Sequence, residues 1–179
     1  MLVEGDSDRV ALHTVARLRG RDLAAEGIDV VAMGGITNTR TFATRYGPQG
    51  LDVPLVGLYD APEEAKVRNG LAAAGLGAAV EHGGLPGLGF YKCTQDLEDE
   101  LIRALGIEGV EAVIDAAGET RSLQLLAGMP AQRPWTREAV LRRFIGVRAG
   151  RKARYAALLV EALEPGRVPE PLAAVLDRV

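Results

Sequence analysis

The chain has 179 residues, 47% hydrophobic and only 4% aromatic, and carries a formal net charge of −3. That suits one ordinary domain, or one domain with a helical appendage, built on Leu, Val and Ala, and it excludes a disordered tail. One cysteine, Cys93, and two distant histidines, His13 and His82, exclude an intramolecular disulfide and a cysteine- or histidine-built zinc site.

Met1-Leu2-Val3 reads as a strand cut short, which predicts that the natural chain extends upstream. It runs into Glu4-Gly5-Asp6-Ser7-Asp8 and a periodic apolar stretch, a strand, tight loop and helix with Asp6 or Ser7 as the cap. With an acid so early, no signal peptide is expected, and no apolar run reaches membrane-spanning length, so a reducing cytoplasm is the expected setting and no membrane the expected partner. Ile28–Met33, bounded by Gly27 and Gly34-Gly35, reads as a buried strand, followed by a helix around Thr39–Tyr46. Val53–Tyr59 is a third strand ending at Asp60, with Pro54 at its first residues, and residues 62–74 read as helix with Pro62 in its first turn.

The glycine-rich stretch Gly83–Gly89 precedes a strand and is interrupted by Pro86, so it reads as a flexible connection and not as a nucleotide-binding loop. Leu88–Cys93 is a short fourth strand, with Cys93 a buried small hydrophobe. Asp96 then caps a helix whose Leu97, Leu101 and Leu105 share one face and which Gly106 ends. The last third is helical by composition, most clearly in Arg151–Leu163, closed by Pro165-Gly166. His13 reads as a structural histidine among apolar residues, and Trp135 as a packing residue, its alternatives being to anchor the basic segment or stack on a base.

The alternation of strand and helix predicts an α/β fold, a parallel sheet of about four strands flanked by helices, in which ligands gather at the carboxyl ends of the strands. Acids recur there: Glu4 after the first strand, Asp60 after the third, Asp96 and Glu98 after the fourth, with Asp8 one turn into the first helix. Clustered carboxylates repel one another unless a cation shares them, and an all-oxygen donor set favours Mg²⁺ or Mn²⁺ over zinc. Gly34 and Gly35 would let a backbone or a phosphate approach closely. Each acid alone has an ordinary structural reading as a loop or helix-start charge; their joint placement is the signal.

Charge is unevenly spread. Residues 1–132 hold 11 Lys and Arg against 19 Asp and Glu, whereas residues 133–154 hold 8 against one. A solvated helical face and a phosphate-binding segment both fit that pattern. Gly146 and Gly150 interrupt any strict helical face, which favours a loop-and-helix grip on phosphates and makes nucleic acid the expected partner.

Leu2-Val3-Glu4-Gly5-Asp6-Ser7-Asp8 resembles the opening motif of TOPRIM domains, and is especially similar to those of OLD-family (overcoming lysogenization defect) ATP-dependent nucleases. Gly34-Gly35 and strand-ending Asp60 resemble the next landmarks, Asp96–Leu101 resembles the OLD-type acidic helix start, and Lys152 sits where that family places a late lysine. The resemblance implies a TOPRIM-type, Rossmann-like core over residues 1–106 and a helical C-terminal part over 107–179 that packs on it and carries the basic segment 133–154. It also implies Mg²⁺-dependent phosphodiester cleavage of DNA or RNA: Glu4, Asp8, Asp60 and Glu98 as metal ligands, Glu4 and Lys152 as catalytic residues, and Arg142, Arg143, Arg148, Arg151 and Arg154 on the nucleic-acid backbone. Two departures matter. Pro62 stands where the family's second Asp belongs, with Glu63 or Glu64 as stand-ins from the next turn, so one or two metals remain open. The Gly-x-x-x-x-Gly-Lys motif of the accompanying ATPase is missing, which leaves an ATPase on another chain, or a stand-alone protein. The alternatives are a non-catalytic or partner-dependent module that binds metal and nucleic acid or docks on an ATPase, and hydrolysis of a small phosphate ester.

Overall fold

The strands alternate their side chains between two apolar layers, and that alternation organises the molecule. The computed structural model describes residues 1–146, 150–164 and 166–179. Strands β1 (Leu2–Val3), β2 (Val31–Ala32), β3 (Gly57–Asp60) and β4 (Phe90–Cys93) form a wholly parallel sheet in the order β2-β1-β3-β4. Val3, Leu58 and Cys93 face one layer; Leu2, Tyr59 and Phe90 face the other.

The first layer is covered by α1 (Asp6–Leu18), α5 (Leu97–Ala116), α6 (Thr120–Gly128), α7 (Arg137–Gly146), α8 (Arg151–Glu161) and α9 (Glu170–Asp177). The second is covered by α2 (Thr39–Tyr46), α3 (Glu64–Leu71) and α4 (Gly77–Gly87). Helix α8 lies against α1, and fully buried Leu12 and Leu159 belong to the same apolar cluster. Each such leucine contributes about 2 kcal/mol of hydrophobic stabilisation. The C-terminal helices therefore share one core with the sheet.

Several elements differ from the sequence expectation. The ladders of central β1 span only one or two pairs because the strand offers only two residues: Leu2 pairs with both Val31 and Gly57, and Val3 with Ala32. Val53, expected to start β3, is exposed. Gly57 is required where it stands, since a Cβ there would lie 2.5 Å from the Phe90 ring and 2.7 Å from the Leu2 carbonyl oxygen. The α1 cap is Gly5, not Asp6 or Ser7; Asp8 folds back so that its Oδ2 accepts from the Gly5 N–H at 2.9 Å. The stretch expected as a flexible connection is helical through Gly87, broken at Gly84 (φ 65°), because Val80 and Leu85 anchor it in the second layer. Helix α5 turns at Gly106 (φ 75°) and continues beyond it. His13 is exposed on α1, not packed in the core, and Trp135 is 43% exposed. Cys93 is fully buried, as expected. Pro165, expected to close the last clear helix, lies outside the described residues, and α8 itself stops at Glu161.

Candidate functional site

A cavity of about 370 Å³ opens at the carboxyl end of the sheet, lined by Glu4, Asp8, Asp60, Asp96, Glu98 and Lys152 together with the Gly5–Ser7 turn, Gly146 and Gly150. The placement follows from topology. Glu4 and Asp60 terminate the adjacent strands β1 and β3, Asp8 rises from the first turn of α1, and Glu98 from the first turn of α5. In register Asp60 sits beside Cys93, the last residue of β4, which brings the start of α5 to the same edge. Lys152 enters from the first turn of α8, its Nζ 3.0 Å from Glu98 Oε2. Glu98 is 3% exposed, so its charge is held almost out of water.

The carboxylates are electrostatically frustrated. Burial pushes Asp60 up to about 7, and the charges of Asp8, Glu4, Asp96 and Glu98 push the same way. Asp8 is raised to about 6 by burial and by Glu98 and Glu4, against the N–H of Gly5 and the charge of Lys152. Glu4 is raised by burial and by Glu63, and Glu98 by burial against its pairing with Lys152. Burial works against the Lys152 ammonium, but Glu98, Asp8 and Asp96 outweigh it and hold the lysine above its ordinary value.

This donor set fits a hard divalent cation: carboxylate oxygens at one sheet edge, no histidine or cysteine in the lining, and one ammonium among six acids. Among the described residues no three acidic, histidine or cysteine side chains stand together closely enough to hold an ion without moving. Like charges spread apart, so side-chain rotation onto the ion would have to assemble the site.

Asp96, read as a helix cap, serves as one and also lines the cavity. Its Oδ1 accepts from the Asp99 N–H at 2.8 Å, and Oδ2 pairs with Arg142 at 2.6 Å. Glu64 is turned outward to Arg68 at 3.3 Å and Lys92 at 3.6 Å. Glu63 pairs with Lys66 at 2.5 Å and reaches the site only through its charge on Glu4. Gly34 and Gly35 have φ of 72° and 128°, which side chains rarely adopt, and the Gly35 N–H donates to the Glu4 carbonyl at 3.1 Å. They shape the turn beneath Glu4 and do not line the cavity.

The basic segment divides in two. Arg142 and Arg143 are exposed and line a second cavity that adjoins the first. Arg151 instead lies over the Phe144 ring at 4.2 Å and pairs with Glu119 at 2.5 Å, and Arg154 pairs with the same carboxylate at 2.6 Å. In this geometry those two guanidiniums, expected to grip phosphates, clamp α8 to the α5–α6 connection and do not line the cavity. Arg148 lies outside the described residues. Glu119, the hub of that clamp, has no motif around it and was invisible in the sequence.

A short-stranded parallel sheet with Glu after the first strand, Asp after the third and flanking helices is the TOPRIM architecture. Residues 1–61 match the family described as "Overcoming lysogenization defect protein-like, TOPRIM domain". The C-terminal region of the Xanthomonas campestris pv. campestris OLD protein, phased with platinum, superposes with a TM-score of 0.72 at 26% identity, over 99% of this chain and 89% of that one. The C-terminal region of the Burkholderia pseudomallei OLD protein superposes with a TM-score of 0.69 at 25% identity, over 99% and 93%. No curated protein sequence is significantly similar to the chain. Residues 1–61 are thus similar to the TOPRIM domain of OLD-like proteins, and the whole chain has the fold of the C-terminal region of OLD proteins, a fold generally of metal-binding nucleases and primases. Among the described residues no helix is long and apolar enough to cross a membrane.

Proposed function

We propose that the chain cleaves phosphodiester bonds in DNA or RNA with Mg²⁺ or Mn²⁺ held at the acidic cavity. The observation that carries this reading is the convergence of Glu4, Asp8, Asp60 and Glu98 with Lys152 on one sheet edge. Glu4 and Asp60 would hold one ion, and Asp8 and Glu98 would help hold a second. Bound there, the metal supplies an activated water and charge neutralisation at the phosphate. Glu4, directly after β1, would be a ligand of the metal that supplies this chemistry. Lys152, only half-buried beside Glu98, would offset the charge that grows on the scissile phosphate. Arg142 and Arg143 receive the flanking backbone, an interaction indifferent to sequence and sensitive to salt.

In this reading residues 1–106 are the TOPRIM core, and residues 107–179 are a helical part bearing the basic segment. An ATPase is a fitting partner of this domain, as the likeness to OLD proteins suggests.

A second reading, a regulatory module that binds metal and nucleic acid or an ATPase without cleaving, is favoured by one observation. Pro62 is exposed where a further carboxylate is expected, and Glu64 faces away. Incubating the protein with plasmid DNA and single-stranded RNA in Mg²⁺ or Mn²⁺, beside Glu4→Gln and Lys152→Ala, separates the two. Cleavage by the wild type alone supports catalysis; binding without cleavage by any of the three supports the regulatory module.

A further inference from the structure

Trp135 is the only tryptophan of the chain, and 43% of its surface is exposed. Its backbone N–H donates to the Gln132 carbonyl at 3.0 Å. The next residue, Thr136, turns its Oγ1 to the Ala139 N–H at 3.3 Å at the start of α7. A large amphipathic ring left in water on a fixed turn is an uncommon surface feature. The ring lines a cavity of about 340 Å³ with Arg142, Arg143, Glu98 and Lys152. Asp96, Glu98, Gly146 and Lys152 line both this cavity and the acidic one, so a ligand lying in one adjoins the other. Arg142 is held between the two by Asp96 at 2.6 Å and Gln95 at 2.5 Å, with 43% of its side chain still open to solvent.

We propose that Trp135 is a stacking platform for an unpaired nucleobase, so that the site takes a single-stranded or frayed segment of nucleic acid. The proposal rests on the nucleic-acid reading of the acidic cavity and names the form of the substrate. An exposed aromatic face beside guanidiniums is the arrangement by which single strands are held: the base stacks and the cations follow the backbone. In an intact duplex both faces of each internal base are covered by its neighbours, so the ring is offered to a strand that is open next to the scissile phosphate. Trp135, Arg143 and Lys152 line the same cavity, so a stacked base fixes the position of the phosphate presented to the acids.

The lone tryptophan reports its own occupancy. Titrating the protein with a short oligothymidylate in EDTA, then in Ca²⁺, is expected to quench its fluorescence saturably; a blunt hairpin duplex of equal length is expected to quench it far less. By anisotropy of a labelled oligonucleotide, Trp135→Ala is expected to weaken single-strand binding at least about fivefold, and Trp135→Phe to retain most of it. Circular dichroism of both variants checks that they are folded. Single-strand binding with unchanged fluorescence, equal affinity of Trp135→Ala, or no single-strand binding at all overturns the proposal. If Glu4-dependent cleavage persists while Trp135→Ala binds and cleaves single strands as the wild type does, the stacking platform fails and the nuclease reading stands. Quenching without cleavage under any metal supports the platform and removes the catalytic reading.

Discussion

Lys152 Nζ stands 3.0 Å from Glu98 Oε2, an ion pair that ties the first turn of α8 to the first turn of α5. Its two ends are unequal: the lysine side chain is 49% exposed and the glutamate 4%. Removing the lysine leaves a buried carboxylate without its cation. Lys152→Ala is therefore expected to cost about 1–3 kcal/mol, read as a lower urea midpoint at pH 8. Because Glu98 can be neutralised instead, Lys152→Ala, Glu98→Gln is expected to recover most of that stability without recovering cleavage. Two losses that simply add would show that the pair is not coupled.

The acidic cavity makes stability depend on pH in an unusual direction. Asp60 and Asp8 are raised to about 7 and about 6, above the ordinary carboxylate value of about 4, so the folded chain holds protons that the unfolded chain releases. Their contribution is fully present below pH about 4 and is lost as pH rises through about 6 to 7. A divalent cation substitutes for those protons. Thermal melting should show Mg²⁺ stabilising the protein strongly at pH 8 and little at pH 5; an equal shift at both would mean that these carboxylates do not take up the ion.

The arginines of the basic segment are expected to separate by function. Arg143→Ala should lower the dependence of nucleic-acid affinity on salt by about 0.7–0.9 in log–log slope, the signature of one lost phosphate contact, and leave melting unchanged. Arg151, 10% exposed and bound to Glu119, should behave oppositely: Arg151→Ala lowers the melting temperature and leaves the slope alone. A slope change for Arg151→Ala would restore it to the nucleic-acid path.

These contrasts mark where sequence reading reaches and where it stops. Glu4, Asp60 and Glu98 were legible because strand ends and helix starts are written in local patterns, and a parallel sheet brings those ends to one edge. The lysine was legible only through the family resemblance, since nothing local to Gly150–Tyr155 tells which way its side chain turns. The pairing of Arg151 and Arg154 with Glu119 was not legible, because that carboxylate lies more than thirty residues away and meets them only once α8 has packed. The helix at Gly77–Gly87 was missed for a similar reason: its glycines argue for a loop, and burial of Val80 and Leu85 overrides them. Trp135 was assigned to packing because most tryptophans pack, and only the fold leaves it at the rim of the site.

The account stands on the acidic edge of the sheet being a divalent-metal site, and Mn²⁺ binding followed by electron paramagnetic resonance tests that without reference to any substrate. The wild type is expected to bind Mn²⁺ saturably and to release it to Mg²⁺, with Glu4→Gln and Asp60→Asn each weakening binding at least about tenfold. Absence of Mn²⁺ binding at millimolar concentration, or binding that neither substitution disturbs, would contradict it.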